Sequence, residues 1–181
     1  MRVDLSRFDN SGFNRGAGVV KEACWQIVSL FVFQLMPVYA SRLKAALLRL
    51  FGATVGTGVV FKPGLKITFP WKLTVGDRVW LGEEAWILNL APVVIEDNVC
   101  ISQRAFICTG NHDYSDPAFG LIVRPVRICE GAWLGASSFV GPGVTVHRNA
   151  VLCACSLATR DLLEDMVYQG TPARAVRIRW K

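Results

Sequence analysis

Residues 128–156 read ICEGAWLGASSFVGPGVTVHRNAVLCACS, and within them Ile128, Leu134, Val140, Val146 and Leu152 return every six positions. Four residues after each comes a small or second apolar side chain: Ala132, Ser138, Val144, Ala150 and Ser156. A period of six fits neither an amphipathic helix nor a long alternating strand. It is the signature of a parallel β-helix assembled from hexapeptides. Three short strands joined by turns make one triangular coil of about 18 residues. The branched aliphatic points into the prism and stacks on its equivalents above and below. The small residue also faces inward, beside a corner that a larger side chain would not fit.

The same pattern extends toward the N-terminus through Ile95, Ile101 and Ile107, through Val75, Leu81 and Ile87, and through Val55, Phe61 and Ile67. It requires register slips of two residues before Val75 and before Ile95. Val59, Val79, Ala85, Ala91, Val99 and Ala105 fill the small inward positions. Gly56, Gly76, Gly82, Gly135 and Gly141 follow the aliphatic directly, where tight geometry favours a residue without a Cβ. The solenoid therefore spans residues 55–160, between an N-terminal segment, 1–54, and a basic C-terminal tail, 161–181.

A chain of 181 residues holds one such domain with appendages and has ample material for a core. Its start, Met1 to Gly18, is polar and mixed in charge, so no signal peptide is expected and the location is read as cytoplasmic. The six cysteines fall at solenoid or helix positions and are read as reduced, partly buried thiols. Cys153 and Cys155 are two apart, without a zinc-ligand spacing or a histidine pair, so no metal site is expected. The net charge of +6 is concentrated in part on Arg174, Arg177, Arg179 and Lys181. That tail is either a solvated strip or an attractor of phosphate on a cofactor or membrane. No nucleic-acid module accompanies it.

Residues 23–41 carry no charge, and the stretch CWQIVSLFVFQLMPVYAS is long enough to raise the question of a membrane span. Gln26, Ser29, Gln34 and Pro37 argue against one, and Pro37 should split the helix. A second helical piece follows, with Arg42, Lys44 and Arg49 set against Leu43, Leu47, Leu48 and Leu50. Three placements compete: packing on the solenoid or a neighbouring subunit, peripheral contact with the membrane interface through residues 23–50, and a true span.

The repeat stops after Ile107. Asn111 occupies the next small position, and the register resumes only at Ile128, leaving NHDYSDPAFGLIVRPVR as a protruding loop over 111–127. Long excursions from rigid scaffolds tend to carry function. This loop holds His112, one of two histidines; the other, His147, sits in a regular hexapeptide and reads as a surface residue. An imidazole that is readily neutral near pH 7 is suited to general-base work, and Asp113, Tyr114 and Asp116 stand close enough in sequence to orient it.

With these features the sequence resembles the left-handed β-helix acyltransferases, the hexapeptide-repeat family of galactoside, maltose and serine O-acetyltransferases. The likeness covers about residues 55–177. It is strongest to colanic acid biosynthesis acetyltransferases through DLSRF..GF.RG (Asp4 to Gly16), the apolar helix, GNHDYSDPAF, GAWLGASSFVGPGV and QGTPAR. The resemblance implies a left-handed solenoid, a homotrimer and an acetyl-coenzyme A-dependent transfer to a sugar or lipid-linked glycan acceptor, with no metal. It makes His112 the catalytic base and Asn89 a residue of the acceptor or oxyanion region. It places Trp133 by the thiol arm, Ala154, Thr159 and Arg160 along the coenzyme A groove, and Arg174 and Arg177 by the phosphates. Each active site would lie between two prisms. The usual Gly-Ala-Gly of the last coil is here Cys153-Ala154-Cys155, and the acceptor residues of the galactoside enzymes have no recognisable counterpart.

Other solenoid functions fit less well. A γ-class carbonic anhydrase needs three histidines on zinc, and the chain has two. Ice binders present ladders of threonine, which Thr109, Thr145 and Thr159 do not form. A nucleotidyltransferase would need a Rossmann-like domain, for which 54 preceding residues are too few. A xenobiotic or antibiotic acetyltransferase, and a non-catalytic β-helix scaffold, remain as the alternatives.

Overall fold

The structure is a computed structural model that describes residues 2–180. Its body is a parallel solenoid of five coils, each contributing one short strand to each of three faces. The first face stacks Thr54–Val55, Leu73–Val75, Val93–Ile95, Val126–Ile128 and Thr145–Val146. The second stacks Val60–Phe61, Trp80–Leu81, Cys100–Ile101, Trp133–Leu134 and Val151–Leu152, then continues into Met166–Gly170 and Ala173–Ile178. The third stacks Lys66–Ile67, Trp86–Leu88, Phe106–Cys108, Phe139–Val140 and Leu157–Ala158.

The inward positions are those read from the period. All fourteen repeat aliphatics are at most 7% exposed, and the small residues four places on are buried with them. Fully burying a side chain of this size contributes roughly 1.5–3 kcal/mol, so the stacked rows supply most of the cohesion of the prism.

The glycines after the aliphatics answer to close approach. A Cβ on Gly82 would stand 2.4 Å from the backbone carbon of Ser102, and one on Gly135 2.5 Å from the Ala154 nitrogen. The left-handed backbone falls elsewhere in each turn, at Gly58, Arg78, Asn98, Gly131 and Asn149 along one corner and at Gly64, Glu84, Arg104, Ser137 and Cys155 along the next. Cys155 thus holds a positive-φ turn position, a conformation that glycine adopts without strain.

The N-terminal helices close the open end of the prism. α1 (Val19–Val28) runs into a π-helical turn, Ser29–Gln34; the chain breaks at Pro37 and resumes as α2 (Ser41–Leu50). Trp25, Phe33 and Leu48 join the core around Phe61, Leu65 and Ile67. The first coil has no coil before it, so its outer carbonyls would be orphaned. Side chains of the cap take that role. Arg49 donates to Val55 O (2.9 Å) and Gly56 O (2.7 Å), Lys44 to Phe61 O (3.3 Å), Gln34 to Leu65 O (3.1 Å) and Trp25 to Ile67 O (2.9 Å).

The inner side of residues 23–50 thus packs on the solenoid, and no described helix is long and apolar enough to cross a membrane. The polarity expected for α2 is partly inverted: Lys44 is wholly buried, whereas Leu43 and Leu50 face out. Two further expectations change. The segment read as a basic tail forms a strand pair, Met166–Gly170 against Ala173–Ile178, that extends the second face. The loop over 111–127 begins as a hairpin of Gly110–His112 against Leu121–Val123, and the solenoid resumes already at Val126. The six cysteines are free; Cys24 and Cys155 are exposed rather than partly buried.

Candidate active site

His112 ends the outgoing strand of the hairpin, and its Nδ1 lies 2.9 Å from the carbonyl oxygen of Phe119. Its ring stacks on that of Phe119 at 4.4 Å and 9°, and Phe8 tilts against it at 5.6 Å. The carboxylates expected to orient it are engaged with their own turns. Asp113 accepts from Ser115 N and Oγ, and Asp116 from Ala118 N. The hydrogen bonds from the Ser115 hydroxyl and amide hold the Asp113 carboxyl below its ordinary value. Tyr114 points to solvent. A backbone carbonyl and two aromatic rings thus fix the imidazole. Phe119 reaches it by adopting φ 55, a left-handed conformation rare for an aromatic residue.

His112 opens onto a cavity of about 740 Å³. The cavity is bounded by the N-terminal segment (Phe8, Asn10, Phe13, Arg15), by α1 and its π-turn (Glu22, Gln26, Leu30, Gln34) and by the third face and its exit (Lys66, Thr68, Phe69). The N-terminal segment is tied down over it. Asp4 N donates to Pro117 O, Trp71 Nε1 to Arg15 O, and Lys72 Nζ to both Asn14 O and Leu90 O. Gly16 takes φ 82 where a Cβ would meet the Trp71 ring at 2.9 Å, so the glycine of the Arg15-Gly16 pair has a steric reason. Arg15 pairs with the nearly enclosed Glu22 at 2.6 Å. Burial pushes the Lys72 ammonium below the usual lysine value, while Glu22 nearby opposes the shift. Aromatic walls with amide, hydroxyl and charged groups between them suit a polyhydroxylated ligand, whose ring faces stack and whose hydroxyls hydrogen-bond.

Sequence reading did not identify this N-terminal wall, although the DLSRF..GF.RG motif that forms it was visible. Asn89 is placed differently from its expected role. It is fully buried inside the prism, accepting from Phe69 N (2.9 Å) and donating to Phe69 O (2.6 Å). It holds the cavity wall in place and is not among the residues lining the cavity.

The residues expected along the coenzyme groove form a second group, away from His112 on this chain. Thr159, Arg160 and Arg174 share a cleft of about 210 Å³ with Ala158 and Tyr168. Trp133 stands outward on the second face, its indole donating to Ser102 Oγ at 2.9 Å. Its register row runs Trp133–Val151–Val167–Arg177, so three strand spacings, about 14 Å, separate Trp133 from Arg177. Ala154 is exposed at the adjoining corner. One chain therefore brings Arg177 and Trp133 onto one register row, with Arg174 in the neighbouring cleft, and leaves the imidazole at a different cavity.

No family model matches the chain. Among curated proteins it is 39% identical over 176 residues to "Putative colanic acid biosynthesis acetyltransferase WcaF" of Escherichia coli (strain K12), covering 97% of each chain. Among solved structures it resembles the hexapeptide-repeat acetyltransferase VCA0836 of Vibrio cholerae O1 biovar eltor in complex with acetyl coenzyme A, with a TM-score of 0.81, 24% identity and 92% coverage of each chain. It also resembles a galactoside acetyltransferase in complex with coenzyme A, with a TM-score of 0.80 and 20% identity, covering 98% of this chain and 92% of that one.

Proposed function

The chain belongs to the hexapeptide-repeat acetyltransferases, and from that premise we propose an acetyl-coenzyme A-dependent transfer to a hydroxyl of a sugar or exopolysaccharide precursor, with His112 as general base. The observation that carries this reading is the contact between His112 Nδ1 and Phe119 O. A carbonyl oxygen only accepts, so Nδ1 bears the proton and Nε2 keeps its lone pair.

Nε2 removes the proton of the acceptor hydroxyl as its oxygen attacks the thioester carbon. A C–O bond forms and the carbonyl electrons move onto oxygen. When that oxyanion collapses the C–S bond breaks, and the proton held on Nε2 passes to the departing thiolate. No acyl-enzyme is needed, so none of the cysteines has to act as nucleophile. Since the amide of Asn89 is committed to Phe69, oxyanion stabilisation falls to backbone N–H groups.

The aromatic and polar lining of the 740 Å³ cavity supports a carbohydrate acceptor. For the co-substrate, Trp133 is assigned to the thiol arm, Ala154, Thr159 and Arg160 to the groove, and Arg174 and Arg177 to the phosphates. Their separation from His112 within one chain supports a site shared between protomers of a homotrimer. The outward rows of the solenoid support it too. Outward on the second face stand Val60, Trp80, Cys100, Trp133 and Val151, and on the third Lys66, Trp86, Phe106, Phe139 and Leu157; on the first they are Thr54, Thr74, Val94, Arg127 and Thr145. Two adjoining apolar faces of different composition suit a head-to-tail contact that closes into a ring.

His112→Ala tests the reading. Turnover, followed as free thiol released from acetyl-coenzyme A with a panel of sugar acceptors, should fall by about 10²–10⁴-fold, with calorimetric binding of coenzyme A retained. Undiminished turnover removes His112 from the mechanism. Activity confined to antibiotic acceptors would reassign the protein to drug modification.

A further inference from the structure

We propose that the outer face of the N-terminal cap seats this protein on an anionic lipid bilayer. The cap has two sides. Its inner side supplies Trp25, Phe33, Gln34, Lys44, Leu48 and Arg49 to the first coil, satisfying edge carbonyls and filling the prism mouth. Its outer side leaves apolar surface without a partner. On α1, opposite Trp25, Val20 is 78% exposed and Ile27 61%, and Phe31 on the following turn is 59% exposed. The ridge continues through Leu35 and Tyr39 to Leu43 and Leu50 on α2, all exposed. An uninterrupted run of this kind marks an interaction surface.

Charge selects the occupant. From residue 19 to residue 62 the only carboxylate is Glu22, and it is enclosed and paired with Arg15. Over the same stretch Lys21, Arg42 and Lys62 are exposed. Aliphatic and aromatic side chains flanked by cations, with no exposed carboxylate on the cap helices themselves, match a headgroup layer over an acyl boundary. The exposed apolar side chains are spread over two helices rather than gathered in one groove, which suits a fluid surface. Direction agrees as well. The cap lies across one end of the prism, so in the homotrimer proposed above three caps share one end and present their ridges to a single plane. Three weak contacts then act together. The ridge also adjoins the His112 cavity, because Gln26, Ser29 and Leu30 line that cavity from the same helix. Seated this way, and given the transfer reaction proposed above, the enzyme meets acceptors tethered to lipid.

Sedimentation of the full-length protein with extruded vesicles tests this independently of catalysis. Vesicles of phosphatidylethanolamine with phosphatidylglycerol should carry the protein down, and vesicles of phosphatidylcholine alone should carry far less. Ile27→Gln with Phe31→Gln should lower the bound fraction about tenfold or more, while Arg42→Gln should weaken binding to the anionic vesicles by about fivefold. Melting temperature, oligomeric mass and coenzyme A binding of these variants should match the parent. Three results would each overturn the proposal. One is no binding to anionic vesicles. Another is binding that the Ile27/Phe31 pair does not alter. The third is loss of oligomeric mass in that pair, which would make the ridge a contact between copies of the chain.

Discussion

Asn89 and His112 illustrate two ways a polar side chain can serve a site. His112 is half-exposed, has one nitrogen fixed by Phe119 O and lines the cavity. Asn89 is enclosed, with oxygen and nitrogen both spent on the backbone of Phe69, a residue of the cavity wall. Asn89→Ala should therefore act through position. It leaves the Phe69 amide without a partner in a dry interior and its carbonyl with Lys72 N as its one remaining donor, at about 1–3 kcal/mol. We expect a lower melting temperature and a raised acceptor KM, with kcat affected far less than by His112→Ala. If Asn89→Ala matched His112→Ala in kcat at an unchanged melting temperature, the side chain would have a direct part in the chemistry. The histidine was legible because a six-residue period stops where it stands, and an interruption is a local signal. Its orienting group was not, because any residue can offer a carbonyl and nothing in NHDYSDPAF distinguishes Phe119. The aromatic wall was hidden for a different reason. Phe8 and Phe13 reach the cavity because their segment is pinned by residues distant in sequence: Pro117 O receives Asp4 N, Trp71, 56 positions beyond Arg15, donates to Arg15 O, and Lys72 donates to Asn14 O.

The cap is the element whose sequence reads most misleadingly. An uncharged helix followed by a basic one resembles a membrane hairpin, yet its glutamine, tryptophan, lysine and arginine are spent on carbonyls of the first coil. Periodicity reports which residues face a core; it does not report that a parallel stack has an unpaired edge needing donors. Lys44 shows the energetics. It is wholly buried with Met36 O at 2.8 Å and Phe61 O at 3.3 Å and the Phe33 ring 6.0 Å away, and desolvation lowers its pKa. A lysine whose folded value is depressed binds fewer protons folded than unfolded between that value and its ordinary 10.5. Stability from this group therefore rises with pH across that window, since the unfolded chain holds the extra proton there. Lys44→Met removes both the donors and the titration. Urea unfolding should show a loss of about 1–3 kcal/mol at neutral pH from the orphaned carbonyls. The gap between parent and variant should widen by pH 10. A gap that stays constant from neutral to alkaline pH would mean that the buried ammonium is not desolvated as described.

At the scale of the whole molecule, the hexapeptide period dictates which side chains face inward and leaves the assembly open, because outward positions carry no packing constraint of their own chain. It is those outward positions that differ by face. The second face exposes 60% of Trp80 and 45% of Trp133, and the third 40% of Trp86, beyond what a solitary prism has reason to present. The third face carries its own aromatic column, with Trp86 stacked on Phe106 at 4.6 Å and Phe139 edge-on at 5.0 Å. Pressing one protomer's second face against the third face of the next would cover both columns and bring the Trp133–Arg177 row opposite the side of the molecule that holds His112. Assembly and catalysis are then one property, and a substitution on an outward position that lines neither the His112 cavity nor the arginine cleft can separate them from folding. Trp80→Asp places a carboxylate on the second face, two strands from Trp133, without entering the core, since the side chain inward at that strand is Leu81. Light scattering should show the mass falling from three copies toward one at micromolar concentration. The melting of the solenoid should remain cooperative, and acetyl transfer should drop in step with the lost trimer. A Trp80→Asp protein that stays trimeric would remove the second face from the contact, and a monomer with full turnover would show that a single chain assembles the whole site.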